Sequence, residues 1–249
     1  MSSLPRMFRD SLRASPVVFP LIGRQGESPD FERRVVRPGD SVVIEGYPRS
    51  GNTFGTMAFR RAQLGPLNIG NHFHAPAQIL LANRYAIPAL VVIRAPKAAA
   101  LSLCVYHGGR MSAARAVELY IAFHRPILRI PQAWTPALFE EVIADFAPAI
   151  RRMNAQFGTN FIPYENSPEE DALTRAAVEK KRLSRLAKRG DMEASIARQT
   201  VPSAEKEALK SRYRDEFETV KVRRLLSAAQ DYYESILNHK CLKQDTAVQ

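Results

Sequence analysis

Two short runs, Ser41-Val-Val-Ile-Glu45 and Ala89-Leu-Val-Val-Ile93, constrain the fold more than any other feature of the chain. Both are rich in β-branched residues. The first is bounded by a turn signal, Arg37-Pro-Gly-Asp40, and by Gly46. A strand that alternates polar and apolar has one wet face, whereas a strand apolar throughout is covered on both, as in a parallel sheet. The intervening stretches have helical composition: Thr53 to Gln63, Ala77 to Tyr85, Pro96 to Val105, Met111 to Leu128 and Pro136 to Gln156. Asn160-Phe-Ile-Pro-Tyr164 reads as a third strand, and Pro168 to Arg189 and Ser203 to His239 as charged helices. Such alternation predicts an α/β fold, a mostly parallel central sheet flanked by helices, with a mainly helical C-terminal third at 166–249. Residues 1–40, rich in Arg, Pro and Gly and without a sustained period, read as an irregular arm. No internal repeat or low-complexity linker divides the 249 residues, so one domain is expected.

Forty-five per cent apolar and 24% charged residues exclude a disordered chain and a coiled coil. No apolar run approaches the ~20 residues that span a bilayer. Met1 to Gly23 lacks a clear small-residue cleavage site and reads as an extension of the domain, not a signal peptide. Cys104 and Cys241 are too few for a disulfide framework and fit no zinc spacing, which suggests a reducing, cytoplasmic setting. The net charge of +11 concerns partners and not fold. Nucleic acid, an anionic membrane surface, an anionic polysaccharide and a small polyanionic ligand all satisfy it.

The loop Tyr47-Pro-Arg-Ser-Gly-Asn-Thr-Phe54 lies between the first strand and a helix. Backbone N–H groups at a helix N-terminus are unpaired and carry partial positive charge, so an anion is stabilised there. Gly51 permits close approach of the backbone. Ser50, Asn52 and Thr53 add short polar side chains, and the Arg49 guanidinium matches two anionic oxygens. A Gly-x4-Gly-Lys-Ser/Thr spacing is absent, so this is not a Walker A loop. A plain strand–turn–helix accounts for the same residues. After the second strand, Arg94-Ala-Pro96 is followed by Ser102, eight residues beyond the arginine. An Arg at a strand's carboxyl end and a Ser two helical turns on can converge on one phosphate.

These two segments, in this order and spacing, resemble the signatures of the sulfotransferases that use 3′-phosphoadenosine 5′-phosphosulfate. The resemblance implies a P-loop-nucleotide-hydrolase-like fold. It implies that Arg49, Ser50, Gly51, Asn52 and Thr53 hold the 5′-phosphosulfate and that Arg94 and Ser102 hold the 3′-phosphate. Phe54 would lie against the adenine, with Tyr164, in Ile162-Pro-Tyr-Glu165, a second adenine contact or simply a core tyrosine. Phe73-His74-Ala75-Pro76 resembles the segment that carries the family's catalytic base, which favours His74 over His72. A base is needed because a hydroxyl is a poor nucleophile until deprotonated, and His titrates near neutrality. His107 and Glu45 are reserve candidates. The implied step is in-line transfer to an acceptor hydroxyl, with Arg49 stabilising the departing phosphate and no metal expected. His72 and His74 lack a third ligand at suitable spacing.

The resemblance covers Ser41 to Glu165. The late Arg-Lys-Gly-x-x-Gly-x-Trp stretch of the cytosolic small-molecule branch is missing: Gly190 is the only glycine after Tyr164, and the sole Trp, Trp134, lies earlier. The last third instead carries Arg175, Lys180, Lys181, Arg182, Arg185, Lys188 and Arg189 against Glu179 alone. This is either a solvated helix face, a surface for an acidic acceptor such as a sulfated or uronic glycan, or a cover over the nucleotide. Two other functions fit parts of the chain. A P-loop-like small-molecule kinase lacks its Lys and its Mg²⁺ carboxylate. A basic nucleic-acid-binding domain lacks interleaved aromatics or a recognisable module.

Overall fold

β1 (Val42–Gly46), β2 (Ile69–Asn71), β3 (Ala89–Ile93) and β4 (Thr135–Leu138) form an all-parallel sheet in the order β2-β1-β3-β4 in a computed structural model that describes residues 6–27, 34–188 and 204–245. The register sets Ile44 against Leu90 and Val92 against Ala137. Every residue of β1 and β3 is buried, because the alternating side chains of each run serve two cores. Val43, Val91 and Ile93 pack on one face with Tyr47, Leu103, Tyr120 and Trp134. Ile44, Leu90 and Val92 pack on the other with Phe59, Phe146, Ile150 and Tyr164.

The described helices are α1 (Arg6–Ala14), α2 (Phe19–Arg24), α3 (Asn52–Ala62), α4 (Pro76–Arg84), α5 (Pro96–Tyr106), α6 (Ala113–Ile127), α7 (Phe139–Ala144), α8 (Ala147–Phe157), α9 (Pro168–Lys188), α10 (Ala204–Glu218) and α11 (Val220–Asp245). Prolines open α4, α5 and α9, where a missing N–H costs nothing. None of these helices is long and apolar enough to cross a membrane. Chain connections leave β1 toward β2 and leave β3 toward β4, in opposite directions. The crevice between the carboxyl ends of β1 and β3 is therefore the switch point at which open parallel sheets bind ligands.

Three sequence expectations are corrected. Asn160 to Tyr164 is irregular and pairs with no strand, because side-chain amides take its backbone groups: Asn154 Oδ1 accepts from Phe161 N at 3.0 Å, and Gln63 Oε1 from Ile162 N at 3.0 Å. The helix expected from Pro136 begins instead as β4, an edge strand where proline is tolerated. Within residues 1–40, α1 and α2 are helical and docked, with Arg115 on α6 paired to Asp10 at 2.8 Å and Phe19 buried beside Phe73. Tertiary contact, not periodicity, stabilises helices this short.

Candidate active site

Tyr47 opens the loop after β1 and is buried, its hydroxyl donating to the Ala116 carbonyl at 2.8 Å. Its ring meets that of Tyr120 at 5.2 Å, and the Tyr120 hydroxyl donates to the Arg94 carbonyl at 2.9 Å. Both carboxyl-end loops are thus tied to α6. Arg49 (φ 68°) and Gly51 (φ 91°) occupy the left-handed region. For Arg49 that conformation costs about 1–2 kcal/mol, so the surroundings must hold it. Arg94 supplies the hold, Nη1 donating to the Arg49 carbonyl at 2.9 Å. A Cβ on Gly51 would meet the Phe139 ring at 3.0 Å. Asn52 Nδ2 donates to the Tyr47 carbonyl at 2.9 Å, closing the turn from within. Ser50 Oγ is buried and, among the described residues, has no hydrogen-bond partner. No side chain caps the first turn of α3, and its amides keep their positive end toward the loop.

Arg49, Arg94 and Ser102, which stand 45 and 53 residues apart along the chain from Arg49, meet here. Arg49 Nε donates to Ser102 Oγ at 3.4 Å, and its guanidinium lies 4.9 Å over the Tyr106 ring. The Arg94 guanidinium lies 4.2 Å over Phe139. Burial draws both guanidinium pKa values down. Tyr106 opposes this at Arg49 and Glu140 at Arg94, and the Arg94 charge adds to it at Arg49. Guanidinium nevertheless stays charged at any working pH. Among the described residues neither cation forms an ion pair with a carboxylate.

Across the crevice, the loop from β2 to α4 carries His72 (φ 62°) and His74 (φ 50°), both left-handed. His72 is buried, and its Nε2 lies 3.0 Å from Thr53 Oγ1. His74 keeps 23% of its side-chain surface exposed. Its Nδ1 lies 2.8 Å from the Gly46 carbonyl, which can only accept, and 3.4 Å from Asn52 Nδ2, whose hydrogens go to the Gly46 and Tyr47 carbonyls; the nearer acceptor places the proton on Nδ1 and the lone pair on Nε2. That is the tautomer of a general base. Glu45, by contrast, is wholly buried, its oxygens accepting from Phe73 N at 2.7 Å, His74 N at 3.0 Å and Gly46 N at 3.3 Å. Burial pushes its pKa up to about 7 against the pull of those amides.

No protein-family model matches this chain, and no curated protein matches it. Among solved structures it is similar to mouse sulfotransferase SULT7A1 complexed with PAP, at 12% identity over 83% of this chain and 93% of that one, with a TM-score of 0.41.

Phe54 lies beneath the Arg175 guanidinium at 5.4 Å and edge-on to Tyr164 at 6.3 Å. The Tyr164 hydroxyl donates to Asp171 at 3.0 Å and pairs with Thr174 at 2.9 Å. The ring is 2% exposed. Of the basic stretch, Arg175 and Lys180 are exposed on α9, while Arg189 lies outside the described residues, as do the side chains of Arg182, Arg185 and Lys188. His107 follows α5, and burial and then Arg110 lower its pKa. Among the described residues no three His, Cys, Asp or Glu stand together as a metal site.

Sequence reasoning missed two parts of this site. Arg13 on α1 donates to the Phe73 carbonyl, and to that of His74 at 3.0 Å; nothing at position 13 signals a partner sixty residues away. Glu45 binds the histidine loop through backbone amides, and here a signal was present. It is the one ionisable residue of a strand buried on both faces.

Proposed function

We propose that this chain transfers a sulfuryl group from 3′-phosphoadenosine 5′-phosphosulfate to an acceptor hydroxyl, with carbohydrate hydroxyls among the candidate acceptors. The observation that carries the reading is the meeting of Arg49, Arg94 and Ser102 at the switch point, beside the uncapped first turn of α3. Two guanidiniums without carboxylate ion pairs and a buried Ser50 hydroxyl without a hydrogen-bond partner, both among the described residues, form with a run of helix amides a donor set suited to a ligand with separate phosphate groups. Arg49, Ser50, Gly51, Asn52 and Thr53 would hold the phosphosulfate, and Arg94 and Ser102 the 3′-phosphate. Phe54 would take the adenine, with Tyr164 behind it.

The acceptor oxygen forms a bond to sulfur as the bond from sulfur to the phosphate oxygen breaks. His74 Nε2 receives the hydroxyl proton, while Nδ1–H on the Gly46 carbonyl keeps the ring oriented. Arg49 offsets the charge gathering on the departing phosphate oxygen. Glu45 touches no solvent and is set aside as the base. Burial pushes the Cys104 thiol up to about 12, away from the reactive thiolate, and the low cysteine count suits a reducing, cytoplasmic setting.

The test is thermal shift with 3′,5′-adenosine bisphosphate, ATP–Mg²⁺ and a DNA duplex at matched ionic strength. Stabilisation by the bisphosphate is expected. Stabilisation by ATP–Mg²⁺ or DNA but not by the bisphosphate would overturn the reading in favour of a kinase or a nucleic-acid binder.

A further inference from the structure

We infer that Glu45 is a positioning residue for His74: its buried carboxylate clamps the strained β2–α4 loop by the backbone and stands behind the imidazole as its counter-charge. The inference rests on the reading of His74 as the base and goes beyond it, since it assigns the group that sets the base's place and proton affinity.

The loop cannot hold its own shape. Two of its residues, His72 and His74, are left-handed without being glycine, and the residue between them directs its N–H inward to Glu45. One carboxylate takes the amides of Phe73 and His74 on its two oxygens, Oε1 and Oε2. Oε2 also lies 3.8 Å from His74 Nδ1, close enough to favour an imidazolium formed by proton uptake at Nε2. On the outer side, Arg13 draws the carbonyls of Phe73 and His74 the other way, so the loop is gripped from both faces.

The groups that face Glu45 are few. From its own strand comes Gly46 N; from the β2–α4 loop come Phe73 N, His74 N and the His74 ring; from α4 comes the Gln78 amide. Among the described residues no Lys or Arg pairs with it. A protonated carboxyl would lose one acceptor from the loop and the negative charge behind His74 together. Burial pushes the Glu45 pKa up to about 7, so the clamp on the loop and the charge behind the imidazole respond to neutral pH together.

The experiment is titration of the ¹⁵N-labelled histidine rings by NMR, with the His74 signal assigned by its loss in His74→Gln, in the wild type, Glu45→Gln and Glu45→Asp. Alongside it come kcat, the donor KM and bisphosphate affinity. Wild-type His74 is expected to titrate in two steps. Glu45→Gln should collapse these to one step at a pKa lower by half a unit or more, with kcat down at least tenfold and bisphosphate affinity within twofold. Glu45→Asp, which keeps the charge, should recover part of the pKa. An unchanged His74 titration in Glu45→Gln overturns the inference, as does a parallel loss of kcat and nucleotide affinity, which a purely structural role would produce. Should Glu45→Gln not fold, wild-type kcat and an unchanged His74 titration in Glu45→Asp, whose shorter carboxylate cannot keep both amide contacts, overturn it. Failure of the base reading is separately visible: His74→Ala would then retain transfer while the Glu45-dependent titration persisted.

Discussion

Arg94 holds the backbone of Arg49. Its Nη1 donates to the Arg49 carbonyl at 2.9 Å, so the strand-end cation of β3 also fixes the strained turn after β1. Arg94→Lys keeps the charge but loses the planar fork. Loss of one charge-assisted hydrogen bond costs roughly 1.5–3 kcal/mol, so affinity for 3′,5′-adenosine bisphosphate is expected to fall about ten- to a hundredfold by calorimetry. Wild-type affinity in the variant would remove Arg94 from the site.

Gly51 combines a φ of 91° with the Phe139 ring 3.0 Å from where a Cβ would stand. Gly51→Ala is expected to cost about 1–2 kcal/mol from backbone strain alone, read as a lowered denaturant midpoint with unchanged slope. Nucleotide binding should weaken in the same variant, because the turn and the α3 amides move together.

His124 on α6 is wholly buried, its ring stacked 4.0 Å from Tyr120, and burial holds its pKa down to about 4. The fold therefore favours the neutral ring. The associated stability is fully present above the unfolded value of about 6.5 and is lost as pH falls through that value toward 4, at most about 3 kcal/mol in all. His124→Phe preserves the ring packing and removes the titration. Its thermal midpoint should fall less between pH 7 and pH 5 than that of the wild type, and equal falls would exclude His124 as a source of acid sensitivity.

Arg13 donates to two backbone carbonyls of the histidine loop, those of Phe73 and His74. Arg13→Ala should therefore lower transfer several-fold through kcat, while bisphosphate binding and the thermal midpoint stay near wild type, since exposed contacts of this kind add little to stability. Steady-state kinetics with saturating donor distinguish this from a loss of nucleotide affinity.

Much of the candidate site was legible because its signals are local. Arg49 and Gly51 follow a strand whose apolar run is unbroken from Val42 to Ile44, and Arg94 and Ser102 are spaced by a strand end and two helical turns. The edge strands were not legible. β2 is only Ile69–Asn71 and β4 contains Pro136, so neither shows the pattern of a buried strand. Asn160 to Tyr164 has that pattern, yet Asn154 and Gln63 occupy its hydrogen bonds.

The amino-acid sequence alone determined the parallel α/β class, the strands β1 and β3, and the cations at their carboxyl ends, because side-chain period and short spacings are set within a few residues. Only the tertiary structure decided that Glu45 and Arg13 grip the His74 loop and that α1 folds at all. Those contacts join side chains to backbone amides and carbonyls 28 to 61 residues away. Every residue presents the same backbone groups, so a partner of that kind leaves no mark in the sequence.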